Sequence, residues 1–88
     1  MEIQFSQDAW QQYLDWQGVD KKTIKRINEL LKDIVRGDPF QGIGKPEALK
    51  GNLSGLWSRR IDDRNRLVYR IVTDEKEICQ VVQCKGHY

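Results

Sequence analysis

One amphipathic stretch, residues 20–37, most constrains what this chain can fold into. Its apolar side chains recur three and four residues apart, which predicts a helix with one buried face. The members of this stripe are Ile24, Ile27, Leu30, Leu31 and Ile34. Asp20 is the predicted N-cap, Val19 and Ile24 occupy the positions of a hydrophobic staple, and Gly37 ends the helix. Such a helix needs a second layer against which its stripe can be buried.

Shorter patterns before this stretch predict a strand and a further helix. Residues 2–5 alternate polar and apolar side chains, as in a half-buried strand. Ser6 is then the predicted N-cap of a helix over residues 7–17, which Gly18 ends. This helix carries an aromatic stripe that we interpret as core. The stripe consists of Trp10, Tyr13 and Trp16.

The second half of the chain reads as a sheet. Alternation predicts strands at residues 56–61, 66–72 and 77–84, and Pro46 is expected to open a single helical turn ahead of them. Tyr69 is assigned to packing. The predicted fold class is α+β: residues 1–88 form one small domain with two N-terminal helices packed on a twisted, mainly antiparallel sheet. The other sheet face is left for a ligand.

Composition narrows the classes of protein that remain. An 88-residue chain with 39% hydrophobic and 32% charged residues can bury one modest core. No apolar run approaches the roughly 20 residues of a membrane span, so we expect a cytoplasmic protein without a membrane partner. Cys79 and Cys84 lie five residues apart in one strand, which predicts reduced thiols on opposite faces. No metal-ligand spacing is present, and we expect no metal and no cofactor.

Positive charge is concentrated in a glycine-punctuated loop and the hairpin that follows it. From Lys45 to Arg70 there are seven Lys/Arg and three Asp/Glu, whereas the whole chain has a net charge of +2. Backbone amides of such a loop can approach phosphate closely, and arginine side chains match its oxygens. Because strand side chains alternate, Arg59 and Arg60 must point to opposite sides. Alone, this pattern favours a phosphate-bearing ligand no more than an ordinary mixed-charge surface.

Four segments in a fixed order resemble the YoeB toxins, which belong to the RelE/ParE superfamily of bacterial toxin–antitoxin systems. They are GKPEALK at residues 44–50, NLSGLWSRRI at 52–61, RLVY at 66–69 and the terminal HY at 87–88. The resemblance implies a microbial-ribonuclease-like fold and a ribosome-dependent mRNA endonuclease that cuts the message in the ribosomal A site. It also implies a YefM-like antitoxin as partner and a homodimer.

The resemblance implies roles for single residues when it is carried over position by position. Glu47 matches the family's general base, His87 its general acid, and Arg66 the residue that steadies the transition state. Gly86 departs from the family, since an aromatic residue is common at that position. The positions that match substrate contacts are Lys45, Lys50, Arg60 and the terminal aromatic Tyr88.

The residue types by themselves also allow this chemistry. Metal-free cleavage of RNA needs a base for the ribose 2′-OH, an acid for the 5′-oxygen and positive charge beside the phosphate. The chain has one histidine, so a mechanism with two histidines is excluded within one protomer. Glu47 is the only acidic residue in the glycine-punctuated loop, residues 44–55, that precedes the basic hairpin.

Two other functions remain open at this point. A non-catalytic inhibitor of DNA gyrase, as among the ParE relatives, would share the fold, although the presence of Glu47 and His87 argues against it. An RNA-binding module without chemistry is the third hypothesis. Replacing Glu47 by Gln would separate it from a nuclease, because an inert binder would keep its effect on translation.

Overall fold

Two helices lie on one face of a five-stranded sheet in the computed structural model, which describes residues 1–88. In chain order the elements are β1 (Glu2–Phe5), α1 (Gln7–Val19), α2 (Lys21–Arg36), β2 (Glu47–Ala48), a 3-10 helix (Gly51–Leu53), β3 (Trp57–Arg60), β4 (Arg66–Thr73) and β5 (Glu77–Gln83). The strand order is β1-β5-β4-β3-β2, and only β1 and β5 pair in parallel. The predicted α+β class with a mainly antiparallel sheet is confirmed. Neither helix combines the length and the apolar character that crossing a membrane requires.

The core lies between α2 and the central strands. The fully buried side chains of α2 are Ile27, Leu30 and Ile34. They belong to one apolar cluster with Leu67 and Tyr69 of β4, both of which are also fully buried. Each such aliphatic side chain stabilises the fold by about 1.5–3 kcal/mol relative to exposure. The predicted stripe is therefore confirmed, except that Ile24 is only half-buried.

Asp20 both ends α1 and begins α2. Its backbone N–H donates to the carbonyl of Trp16 (2.8 Å), and its carboxylate accepts from the first amides of α2. The predicted N-cap is confirmed, but two neighbouring predictions are wrong. The helix α1 continues through Gly18, and Val19 is 80% exposed, so no hydrophobic staple forms. Val19 belongs to the last turn of α1 and lies on its solvent side, instead of leading into α2 as an extended residue.

The aromatic stripe of α1 is only partly core. Tyr13 and Trp16 pack against the apolar cluster, whereas Trp10 is 47% exposed. The ring of Trp10 stacks on that of Tyr13 with centroids 5.9 Å apart. The prediction of a buried stripe is wrong for Trp10, because its ring packs against Phe5 and Tyr13 at the wall of a groove that is open to solvent.

The segment before the basic hairpin is a strand and not the helical turn that Pro46 was expected to open. The strand β2 pairs with β3 in an antiparallel ladder, and the Leu49 amide donates to the Leu56 carbonyl (2.9 Å). The edge of β3 offers unpaired backbone groups, and pairing also buries the side chain of Leu49. An isolated helical turn has no such gain. A single 3-10 turn follows instead, at Gly51–Leu53.

A β-bulge changes which side chains of β5 face the core. Val81 and Gln83 pair with consecutive residues of β4, so one extra residue of β5 interrupts the alternation. As a result Cys84 joins Cys79 in the apolar cluster, and the prediction that they face opposite sides is wrong. Both thiols are free, as predicted, and burial raises the pKa of each to about 11.

A buried arginine holds the segment that connects α2 to β2. The Arg59 side chain is 0% exposed; its guanidinium forms an ion pair with Asp33 (2.5 Å) and donates to the hydroxyl of Tyr69 (3.1 Å). The carbonyls that also accept from it belong to Asp38, Pro39, Gln41 and Ile43. The hydrogen bond from Arg59 lowers the pKa of Asp33 below its ordinary value. Residues 38–43 are thereby attached to the sheet without forming a helix or strand.

Candidate functional site

The sheet face opposite the helices carries four of the polar side chains in the basic region. Glu47 is paired with Ser58, and Arg60 is paired with Arg66. Directly paired residues of antiparallel strands project to the same face, as do residues two apart along a strand. Glu47, Ser58, Arg60 and Arg66 therefore share the face that the helices leave open. We call this surface the open face.

The two consecutive arginines of β3 divide between the two faces, as predicted. Arg59 is fully buried on the helix side, whereas Arg60 is exposed on the open face. The backbone of Arg60 is also fixed, since its N–H donates to the carbonyl of Gly44 (2.7 Å). This bond connects the loop before β2 to the strand that carries Arg60.

Arg66 begins β4 and is held against the β3–β4 turn. Its side chain is nearly buried, and Nη1 donates to the carbonyls of Asp62 (2.7 Å) and Asn65 (3.1 Å). Burial acts to raise the pKa of Asp62, but hydrogen bonds from the Asn65 side chain and the turn amides outweigh it and lower that pKa. The hydrogen-bonded turn therefore holds the Arg66 guanidinium in place through Nη1. Its Nε and Nη2 make no hydrogen bond within the chain.

The C-terminal tail runs back over this region instead of leaving the molecule. The carbonyl of Gly86 accepts from the Arg66 amide (3.0 Å), and the Gly86 amide donates to Oδ1 of Asn65 (2.8 Å). Two residues later, the hydroxyls of Tyr88 and Ser58 share a hydrogen bond of 3.1 Å. The last three residues thus lie beside Arg66 at one end and beside Ser58 at the other.

His87 lies between these two attachment points and is exposed. Its ring stacks on that of Tyr88, with centroids 4.8 Å apart and an interplanar angle of 26°. Its Nδ1 is 3.0 Å from the main-chain oxygen of Tyr88. Because Ser58 is the strand partner of Glu47, its hydrogen bond to Tyr88 places the neighbour of the only imidazole of the chain beside the strand pair that carries that carboxylate.

The two candidate lysines flank β2. Lys45 precedes the strand and has a positive φ of 51°, and Lys50 follows the strand; both side chains are exposed. Gly44, just before Lys45, has φ +80°, and a Cβ there would come within 2.7 Å of Leu30. Because the backbone at Gly44 lies this close to α2, the position of the loop that carries Lys45 and Glu47 is fixed against that helix.

Two residues of this region were missed by the sequence reasoning. Ser58 was named only as part of a motif, and Asn65 only as part of a turn. The contacts that bring them to the tail join residues 30 and 21 positions apart in the chain. No local spacing in the sequence signals such pairs, because they form only when the tail lies against the sheet.

The more apolar of the two large grooves lies away from these residues. It has a volume of about 530 Å³, is situated between β1, α1 and α2, and contains none of the seven candidate side chains. Its apolar lining consists of Ile3, Phe5, Trp10, Tyr13, Leu31 and Val35. An extended polyanion laid on a sheet face does not need an enclosed pocket, so this groove does not argue against a site on the open face.

This fold is that of a known class of small bacterial toxins. The structure is similar to that of YafQ from Escherichia coli strain BL21(DE3), with a TM-score of 0.79 over 98% of this chain and 92% of that chain, at 14% identity, a likeness of fold alone. A YoeB/ParE toxin from Agrobacterium tumefaciens is similar at 40% identity, with a TM-score of 0.95 over 100% of both chains.

The sequence comparisons identify the family within that class. Residues 5–88 match the YoeB-like toxin of bacterial type II toxin-antitoxin system. Toxin YoeB of Streptomyces coelicolor is 53% identical over 88 residues, which is 100% of both chains, and Toxin YoeB of Escherichia coli K12 is 51% identical over the same extent. The chain belongs to the YoeB-like toxin family, and the resemblance seen in the sequence is confirmed.

Two solved structures from Staphylococcus aureus concern assemblies of a relative. One is a YoeB dimer, 48% identical to this chain, with a TM-score of 0.89 over 100% of this chain and 98% of that one. The other is a YoeB–YefM complex, 46% identical, with a TM-score of 0.87 over the same coverage. Both support the fold assignment, and both record what that relative assembles with.

Proposed function

We propose that this toxin is a ribosome-dependent mRNA endonuclease that cleaves the message in the A site and so stops translation. The proposal is supported chiefly by one observation. A carboxylate and two guanidinium groups, from three separate strands, share one open sheet face, and the C-terminal segment that carries the imidazole is hydrogen-bonded through Tyr88 to Ser58 of that face. That set matches the three requirements of metal-free RNA cleavage: a base, an acid and a positive clamp.

In the proposed reaction Glu47 removes the proton from the ribose 2′-OH. The 2′-oxygen attacks the adjacent phosphorus, a P–O bond forms, and the bond from phosphorus to the 5′-oxygen breaks. His87 in its protonated form gives its proton to that leaving oxygen. The products are a 2′,3′-cyclic phosphate and a 5′-hydroxyl, and no oxidant or further reactant is required.

Arg66 is proposed to stabilise the charge that builds up on the phosphate. A guanidinium remains protonated at any working pH, and its unengaged Nε and Nη2 offer donors to the nonbridging oxygens. Because the β3–β4 turn already holds this guanidinium, it does not have to reorganise when the charge develops. Substrate contacts are proposed for the exposed cations Lys45, Lys50 and Arg60 and for the ring of Tyr88.

The proposed partners are mRNA and rRNA on the ribosome, a YefM-like antitoxin and a second copy of the chain. The last two are proposed by likeness to the Staphylococcus aureus relative, whose complex with YefM and whose dimer have been solved. Action on ribosomes implies that the protein works in the cytoplasm.

The test is primer extension on a defined message in a purified translation system. The wild-type protein is expected to produce a cut at the A-site codon, which appears only when ribosomes are present. Glu47→Gln is expected to lower the single-turnover cleavage rate by about 10²–10⁴-fold while ribosome binding persists, because only proton removal is lost. Glu75→Gln, at an exposed turn on another part of the surface, is the matched control and should cleave normally.

A gyrase supercoiling assay run with the same protein samples tests the alternative class. Inhibition of gyrase without any cut in the message would overturn the proposal in favour of a ParE-like inhibitor. Blocked translation with an intact message, unchanged in Glu47→Gln, would instead indicate a binder without chemistry.

A further inference from the structure

We propose that Ser58 and Asn65 are positioning residues for His87, which act by fastening the C-terminal tail on either side of it. The inference rests on the proposed nuclease function and deepens it, since it assigns the groups that hold the general acid in place. A residue at the penultimate position of a chain is ordinarily mobile. Here the positions before and after His87 are both attached to the body of the sheet.

The first attachment is at Gly86. Its carbonyl accepts from the Arg66 amide and its amide donates to Oδ1 of Asn65, so both of its backbone polar groups are paired. Asn65 is itself fixed, because its Nδ2 donates to both carboxylate oxygens of Asp62 (3.1 and 3.0 Å). Gly86 has φ +83°, a conformation that glycine adopts without strain. The absence of a side chain at this position therefore suits the sharp bend into the site.

The second attachment is at the last residue. Ser58 is 3% exposed, and its hydroxyl shares a hydrogen bond with that of Tyr88. Tyr88 itself remains 43% exposed, so burial of its ring is not what holds it. The hydroxyl pair is the side-chain hydrogen bond that joins this ring to the sheet. With both attachments made, the backbone of His87 is held from both sides while its ring stays accessible to a substrate.

The two attachments connect the tail to the groups it would serve. Ser58 is the strand partner of Glu47, and Asn65 directly precedes Arg66. Each fastening point is thus adjacent to one member of the proposed catalytic set. Losing either bond lowers the fraction of molecules in which the imidazole is in place, and the observed rate falls in proportion to that fraction.

The cleavage test uses Ser58→Ala, Tyr88→Phe and the double variant in the purified translation system. Ser58→Ala is expected to cut the single-turnover rate about five- to tenfold, the effect of one lost hydrogen bond. Since both changes remove the same bond, the double variant should be no slower than the slower single variant. Ser58→Thr keeps the hydroxyl and should restore cleavage. Ser54→Ala, an exposed serine without a side-chain hydrogen bond, is the matched control.

Amide exchange measured by NMR tests the fastening without any reference to cleavage. Asn65→Ala is expected to speed exchange of the Gly86 amide by about tenfold, because its acceptor is removed. Ser58→Ala should leave that amide protected but increase the mobility of the His87 ring. These readouts remain decisive if the wild-type protein proves not to cut ribosome-bound message, so failure of the proposed function and failure of this inference are distinguishable.

Three results would overturn the inference. One is wild-type cleavage by Ser58→Ala; another is additive loss in the double variant, which would mean that Ser58 does not act through Tyr88. The third is a Gly86 amide that exchanges equally fast in the wild type and in Asn65→Ala. Should Ser58→Ala fail to fold, the Asn65→Ala exchange measurement and the Tyr88→Phe cleavage rate still decide the question, because Tyr88→Phe removes the same hydrogen bond.

Discussion

Arg59 is the residue on which the path of the chain into the site depends. It is fully buried, and its charge is matched by one carboxylate, one hydroxyl and four carbonyls. A buried guanidinium is tolerated only when its donors are satisfied. Its carbonyl partners lie in residues 38–43, so the arginine substitutes for regular secondary structure in a segment rich in turn residues. Arg60, its neighbour in sequence, remains exposed on the open face.

Replacing Asp33 by Asn tests the value of this ion pair. The variant keeps the shape of the side chain but removes the negative charge beside Arg59, and the free energy of unfolding at pH 7 is expected to fall by about 1–3 kcal/mol. Asp74→Asn, at an exposed turn without a side-chain hydrogen bond, is the control and should unfold like the wild type. Urea titrations followed by tryptophan fluorescence give both values.

The acid dependence of the same variant follows from the sign of the pKa shift. The pKa of Asp33 is lowered in the folded protein from its ordinary value of 3.8, mainly by the hydrogen bond from Arg59. The pair therefore contributes fully above about pH 4, and its contribution is lost as the pH falls through the lower folded pKa. The stability difference between the wild type and Asp33→Asn should shrink in that acid range. A difference that stays constant down to pH 2 would contradict this account.

At the scale of elements, Gly18 and Gly44 differ in whether the structure requires a glycine at that position. Gly18 was expected to end α1, yet it lies inside the helix, and a Cβ there would meet nothing within 4 Å. Gly44 has φ +80°, and a Cβ there would approach the Leu30 side chain to 2.7 Å. The first is a replaceable helix residue, and the second is required by backbone conformation and by packing.

Gly18→Ala is therefore expected to stabilise the protein by about 0.5–1 kcal/mol, because alanine loses less backbone entropy in a helix. Gly44→Ala is the matched comparison and should destabilise it, since it combines a strained φ with a steric overlap. Urea unfolding midpoints report both changes. A destabilised Gly18→Ala would mean that the end of α1 is not the regular helix described here.

At the scale of the whole molecule, the core and the candidate site lie on opposite faces of the sheet. The helix side holds the apolar cluster of 11 buried residues, whereas the open face carries the candidate charges. His87 and Tyr88 are not part of that cluster. A change at the tail can therefore alter the site without removing core packing, which keeps stability and activity experimentally separable.

Deleting His87 and Tyr88 tests this separation. The truncated chain is expected to retain a melting temperature within a few degrees of the wild type, because no buried apolar side chain is lost. Cleavage of ribosome-bound message should be abolished together with the proposed general acid. Circular dichroism and primer extension measure the two properties, and retained cleavage by a folded, truncated chain would exclude His87 as the acid.

Several features set by residues close in sequence were predicted correctly, whereas two features set by strand pairing were not. Helix ends at Ser6, Asp20 and Gly37 were predicted correctly because a cap is set by residues three or four positions away. The segment after Pro46 was predicted wrongly, since its pairing with β3 outweighs a local preference for a turn of helix. The facing of Cys84 failed for the same reason, because a bulge is a property of two strands together.

The sequence by itself determined the α+β class, the buried stripe of α2 and the family, because these follow from short-range periodicity and from segments in a fixed order. Only the tertiary structure decided that Arg59 fixes the loop before β2, and that Ser58 and Asn65 hold the tail around His87. Those contacts join residues from 16 to 30 positions apart. Their partners are selected by strand register and burial, which exist only once the whole chain has folded.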